Sequence, residues 1–199
     1  MPERGSQAHK GWYSRGYLSH FDQPNLVQGI TYRLHDSMPM ERRAEWEALL
    51  NVRDAAVQRE RVEAYLNAGY GSCLLREARI AEIVQGNLLH FDGERYHLLA
   101  WVIMPNHVHV LIQAKEGYSL PNIVHSWKSY TAKRANQLLG RTGPFWHREY
   151  FDRYIRNEQH LERAVLYIHG NPVKAGLVEH AEEWPFGSAR WVDALDASL

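Results

Sequence analysis

Cysteine is almost missing from the 199 residues: Cys73 stands alone, so no internal disulfide can form, and a reducing compartment, the cytoplasm, is the expected setting. Net charge is missing as well, since 23 basic side chains cancel 23 acidic ones, and on that total a polyanionic partner is not the first expectation. No apolar run approaches the roughly 18 residues of a membrane span. The opening MPERGSQAHK lacks the apolar stretch of a signal peptide. A hydrophobic share of 45% beside 23% charged residues excludes a disordered or collagen-like chain. Repeats, low-complexity tracts and linker-like stretches are absent too. The chain therefore reads as an arm over residues 1–25, one domain over 26–190 and a tail over 191–199.

What is abundant is histidine, at 12, and aromatic residues, with 7 Trp, 11 Tyr and 5 Phe. Histidine serves as metal ligand and acid–base group, and aromatic rings can stack on bases. The zero charge also has structure within it. Residues 121–175 carry nine basic groups against four acidic ones, whereas residues 36–100 and 176–199 are net acidic. A solvated helical face would explain such a segment as readily as a polyanion site.

The arm, rich in Gly, Ser, Tyr and His, reads as irregular. Ile30, Tyr32 and Leu34 alternate as on a strand. Residues 40–67 space Trp46, Leu49, Leu50, Val57 and Val62 as one helix ended by Asn67 and the glycines 69 and 71, and residues 72–89 read as a second. An Asp-Gly turn at 92–93 leads into a buried strand over 95–104, and Pro105-Asn106 turns it back along 107–113. A helix over 119–139, a strand over 151–156 and a helix over 158–170, stopped at Asn171-Pro172, complete the pattern. Strands paired as hairpins with helices between them predict an α+β fold, an antiparallel sheet with helices packed on it.

His107 and His109 lie two apart on a predicted strand, so their imidazoles share a face while Val108 and Val110 point to the core. Two imidazoles are an incomplete metal site, and surface polarity or cross-strand hydrogen bonding would account for them equally well. A closed zinc site is disfavoured because Cys73 has no second cysteine beside it. A Mg2+ or Mn2+ site completed by phosphate oxygens stays open. Tyr167 and Asn171, four apart on one helix, would project a phenol and an amide oxygen together, a nucleophile beside a hard ligand. They could equally be a core aromatic and a helix terminator. Tyr130 is the rival nucleophile, but its neighbour four residues on, Arg134, has no acceptor atom, and Tyr154 falls on a predicted strand.

The segments MPNHVHVLI (104–112), HSWKSYTAKRAN (125–136), FWHREYFDRYIRN (145–157) and YIHGNPVKAGLV (167–178), followed by EEWPFGSA, resemble in that order the REP-associated tyrosine transposases of the HUH single-strand nuclease superfamily. The resemblance implies a ferredoxin-like sheet, His107, His109 and Asn171 as ligands of Mg2+ or Mn2+, and Tyr167 as nucleophile. It implies single-stranded DNA with hairpins as substrate, cut through a 5′-phosphotyrosine intermediate. One chain carries the whole set, so a monomer could suffice. Lys128, Lys133, Arg134, Arg148, Arg153, Arg156 and Lys174 become DNA-contact candidates, with Trp127, Phe145 and Trp146 as stacking platforms or core. A hairpin-binding module without catalysis and a small-phosphoester hydrolase are the alternatives.

Overall fold

The computed structural model describes residues 9–14 and 18–191. Its elements in chain order are β1 (Gly11–Ser14), β2 (Ser19–Asp22), β3 (Val27–Arg33), α1 (Arg43–Leu50), α2 (Ala55–Asn67), α3 (Ala78–His90), β4 (Tyr96–Ile103), β5 (His107–Ala114), α4 (Leu120–Leu138), β6 (Phe151–Tyr154) and α5 (Glu158–Lys174). The main sheet runs β4-β5-β3-β6, and every neighbouring pair is antiparallel. From β3 to β4 the chain crosses over β5, and from β5 to β6 it crosses over β3. These two split βαβ crossovers are the ferredoxin-like topology.

Both faces of the sheet are buried. Ile30, Tyr32, Ile103, Val108, Val110 and Ile112 pack under α3 and α4 with Val84, Leu88, Ile123 and Trp127. Ala100, Val102, Met104 and Leu111 pack against Leu161, Ala164, Val165 and Ile168 of α5 on the other face. Because strand side chains alternate, His107 and His109 share the face of Leu111, beneath α5, while Val108 and Val110 enter the larger core.

Three local differences from the sequence pattern have physical causes. The single helix expected over 40–67 is two, because the Asp54 carboxylate accepts hydrogen bonds from the Ala56 and Val57 N–H groups at 2.8 and 3.1 Å and starts α2 afresh. The last helix does not stop at Asn171-Pro172 but runs on to Lys174 with Pro172 inside it. A proline so near the end costs one carbonyl its donor, and termination falls instead to Gly176, at φ +67°, with the Leu177 N–H donating to the Pro172 carbonyl at 2.9 Å. The arm, read as irregular, contains a hairpin: Trp12 pairs with Phe21 and Tyr13 with His20.

That hairpin is anchored by charge. The buried His20 imidazole bonds Asp152 of β6 and lies 3.5 Å from Glu149, and Asp152 also accepts from the Phe21 N–H at 3.1 Å. Asp22 accepts from the Leu120 N–H at the start of α4, 2.9 Å away, where the helix dipole favours an anion. At the opposite side of the sheet, the EEWPFGSA segment covers the β4 edge. Ile103 N–H donates to the Phe186 carbonyl at 2.8 Å and Ser188 N–H to the Trp101 carbonyl at 2.9 Å. Of the expected tail, Trp191 packs edge-on to Trp101 with centroids 5.0 Å apart, and the rest lies outside the described residues.

Asp152→Ala would leave His20 buried without its partner, and urea unfolding should show a loss of about 3 kcal/mol. Arg43→Ala, which removes an exposed pair with Glu47, should unfold like the parent. Burial, then the neighbouring Arg33 charge, pushes the His147 imidazole down to about 4. The unfolded chain takes up that proton near pH 6.5, so stability is intact above that pH and falls as the pH drops towards 4. The urea midpoints of His147→Gln at pH 7 and pH 5 should lie closer together than those of the parent.

Candidate metal centre and nucleophile

Strand β5 delivers two imidazoles to one point. His107 Nε2 and His109 Nε2 are 3.1 Å apart, and Glu63 of α2 brings Oε1 to 3.2 Å from His109 and 3.9 Å from His107. The rings are fixed from behind. Asn106 donates its amide N–H to the Tyr70 carbonyl at 3.1 Å, which turns its Oδ1 toward His107 Nδ1 at 2.7 Å. His107 therefore carries its proton on Nδ1 and presents a bare Nε2. Burial, then the nearby His109, pushes His107 down to about 3, so it is neutral at neutral pH. Thr31, opposite His109 in the β3–β5 register, sets its hydroxyl 2.7 Å from His109 Nδ1. Such outer hydrogen bonds orient imidazole ligands in metal sites.

Glu63 completes a group whose ligand atoms all lie within 4.8 Å of one another. Burial works to raise its carboxyl, but the two imidazoles and the Tyr167 phenol outweigh that and hold it well below the usual carboxylate range. Tyr167 comes from α5, its ring edge-on to His109 with centroids 5.6 Å apart. Burial of the hydroxyl end, then the Glu63 charge and the hydrogen bond donated to it, push the phenol far up, while Asn171 and Arg59 pull the other way. Asn171 is buried, donates from Nδ2 to the Tyr167 carbonyl at 2.9 Å, and leaves Oδ1 buried with no hydrogen-bond partner. Two imidazole nitrogens and a carboxylate are a donor set that suits a divalent cation.

Glu63, His109 and Tyr167 line a cleft of about 1040 Å3. Arg153, Arg156 and Lys174 line it too, joined by Arg59 and Arg163, whereas Lys128, Lys133, Arg134 and Arg148 are not among its lining residues. Lys128 donates to the His147 and Arg148 carbonyls at 2.6 and 2.8 Å, fastening α4 to the loop before β6. Tyr130, half-exposed on α4, also lies outside the lining. Trp127, Phe145 and Trp146 are core residues, packed under α3 and α4 and withdrawn from any stacking role. Glu63 has no motif to mark it in the sequence, because it precedes His109 by 46 residues. One sign was there: helical spacing sets it on the same face as the buried Val62 and Leu66, an acid in an apolar stripe.

Residues 76–171 match the family described as Transposase IS200 like, a span that holds both histidines, Tyr167 and Asn171 but not Glu63. The chain is thus similar to a class of tyrosine transposases over that span. More narrowly, it is similar to REP-associated tyrosine transposases. The Escherichia coli protein of that name is 29% identical over 93 residues, and a Haemophilus influenzae relative bearing the same family name is 29% identical over 104. Each alignment covers 47% of this chain, and the chain spans 54% and 58% of those two relatives. A solved REP-associated tyrosine transposase bound to a REP hairpin shares the fold, with a TM-score of 0.58 at 21% identity over 92% of this chain and 84% of the other. The resemblance read from the motifs is met again in the family match and in both relatives, and the expected fold in the solved structure.

Titrating Mn2+ into the protein by calorimetry should reveal one tight site. Thr31→Val should weaken it by about 10-fold through loss of the His109 support, and Glu63→Gln or His109→Ala by more. A hundredfold excess of Mn2+ over its dissociation constant should add about 2.7 kcal/mol to the parent's stability and none to that of His109→Ala.

Proposed function

We propose that the chain is a metal-dependent single-stranded DNA endonuclease and strand-transferase acting on hairpin-forming repeats, with Tyr167 as its nucleophile. One observation carries this: the Tyr167 phenol shares a basic cleft with a pair of imidazoles and a carboxylate that suit a metal. The coarser conclusion, a DNA-processing enzyme of the transposase kind, is supported by the IS200-like match. A small-phosphoester hydrolase would have no use for a tyrosine in this position or for so long a basic cleft.

A divalent cation, Mg2+ or Mn2+, bound by Glu63, His107 and His109, with the free Asn171 Oδ1 as a further ligand, would neutralise charge on the scissile phosphate. Tyr167 attacks phosphorus through its phenolic oxygen, the bond from phosphorus to the 3′ oxygen breaks, and the strand leaves with a free 3′-hydroxyl. The phenolic proton passes to water as the bond to phosphorus forms, since Glu63, held well below the usual carboxylate range, is too weak a base to keep it. The 5′-phosphotyrosine retains the phosphodiester's energy, so a 3′-hydroxyl can later attack it, restoring the strand and the phenol. Arg153, Arg156 and Lys174 supply positive charge along the DNA backbone. The set lies within one chain, so a monomer is sufficient for one cleavage. A DNA substrate and a lone thiol argue for the cytoplasm as its setting.

A labelled single-stranded hairpin incubated with Mn2+ and run on a denaturing protein gel should yield a covalent adduct with the parent and with Tyr130→Phe, and none with Tyr167→Phe. An adduct that survives Tyr167→Phe would sink the nucleophile assignment. A gel shift without any adduct would favour a non-catalytic hairpin-binding module.

A further inference from the structure

Helix α5 lies on the sheet through contacts that have little direction. Ile168 is buried among Ala100, Val102, Met104 and Leu111, and apolar packing of this kind resists separation more than rolling. At about 100° per residue, Tyr167 and His169 stand on the two shoulders of the helix either side of Ile168. A roll that lifts one shoulder lowers the other. The helix is also weak here by its own sequence: Gly170 is a poor helix former, and Pro172 cannot supply the N–H that the Ile168 carbonyl would take.

The shoulder away from the cleft is held by one directional contact, His169 Nε2 at 2.9 Å from Ser188 Oγ. Ser188 is buried and fully used. Its Oγ accepts from the Trp101 N–H at 3.0 Å and donates to the Trp101 carbonyl at 3.2 Å, and its own N–H donates to that carbonyl at 2.9 Å. The lone pair left on Oγ takes the His169 Nε2–H. Among the described residues, and leaving aside the Tyr167–Glu63 contact, no other α5 side chain hydrogen-bonds beyond the helix and the turn that caps it.

Ser188 is itself tied to the metal centre. Its segment runs antiparallel beside β4 with Gly187 opposite Val102, Val102 lies opposite His109, and His109 opposite Thr31. Trp184 of the same segment joins the apolar cluster of Ile168 and donates its indole N–H to the Ile103 carbonyl at 3.0 Å. One row across the sheet thus connects the contact on α5 to the imidazole that Tyr167 faces.

We infer that His169 is a positioning residue: its bond to Ser188 stops α5 rolling and so fixes the Tyr167 phenol against the His107–His109 pair. The EEWPFGSA segment is then a brace of the nucleophile as well as a cover for the β4 edge. The catalytic meaning rests on Tyr167 being the nucleophile, but the placing of its ring can be measured without cleavage. The phenolic oxygen stands far outside the helix radius of about 2.3 Å, so a small roll carries it through a long arc. Misplacement by about 1 Å is enough to cost on the order of 100-fold in rate.

Single-turnover adduct formation with a labelled hairpin and Mn2+ separates rate from binding. Ser188→Ala and His169→Leu should each slow the limiting rate by about 10- to 100-fold and leave the half-saturating hairpin concentration unchanged. The double variant should be no slower than either single one. His169→Gln, whose amide N–H can replace that of the imidazole, should recover most of the loss. Trp191→Ala, which loosens the same segment without touching the bond, should react like the parent. In protein free of metal and DNA, 3-fluorotyrosine placed at position 167 should give one sharp 19F resonance that shifts and broadens with Ser188→Ala but not with His169→Gln. If Ser188→Ala leaves the rate or the resonance as in the parent, or if Trp191→Ala slows the reaction as much, the positioning role is wrong. If the resonance responds while the parent forms no adduct, the clamp on Tyr167 stands and the nuclease reading falls. Adduct from the parent with rate and resonance indifferent to Ser188→Ala does the opposite.

Discussion

Two imidazoles on a strand buried on both faces are the constraint around which this molecule is arranged. His107 and His109 are buried, so each ring nitrogen needs a partner. Nδ1 of one is met by Asn106 and Nδ1 of the other by Thr31, and the two Nε2 atoms are left facing each other and Glu63. Each of those partners is itself positioned by something else: Asn106 by the Tyr70 carbonyl, Thr31 by the β3–β5 register, Glu63 by the packing of Val62 and Leu66. Movement of any one of these would leave a nitrogen buried and unsatisfied, which explains why so many elements converge on the middle of β5.

The parts of the fold that depend on local pattern were legible in the residues. The alternation in β3, the apolar run of β4, the Pro105-Asn106 turn and the amphipathic α4 all lie where the spacing predicts them, and the hairpin-with-helices pattern leads directly to an antiparallel α+β sheet. The histidine pair and the Tyr167–Asn171 pair were legible for the same reason, since each is a short-range relation along one element. Proline misled at α5, because its cost depends on how many turns follow it, and only Gly176 marks the end.

What the residues could not convey is what different elements bring to one place. Glu63 lies in the acidic stretch between β3 and β4, on a helix whose separate existence depends on one capping carboxylate, Asp54. The cleft arginines 59, 153, 156 and 163 come from α2, β6, α5 and the turn between β6 and α5. Even the local charge excess over 121–175 divides in three dimensions: Arg153, Arg156, Arg163 and Lys174 turn to the cleft, while Lys128 is occupied with backbone carbonyls. Clusters of this kind come from the crossovers of the sheet and have no signature in spacing.

Helix α2 carries Arg59 and Glu63 one turn apart, so a single rigid rod presents a guanidinium to the cleft and a carboxylate to the imidazoles. Any shift of that rod alters both at once. If binding at either end shifts the rod, the two occupancies would be linked, and linkage is reciprocal: whatever factor a cation adds to the affinity for a polyanion, the polyanion must return to the cation. Because α2 lies outside the span that matches the IS200-like family, a chain of that class could change the strength of this coupling by altering one helix, without touching the residues that break the bond.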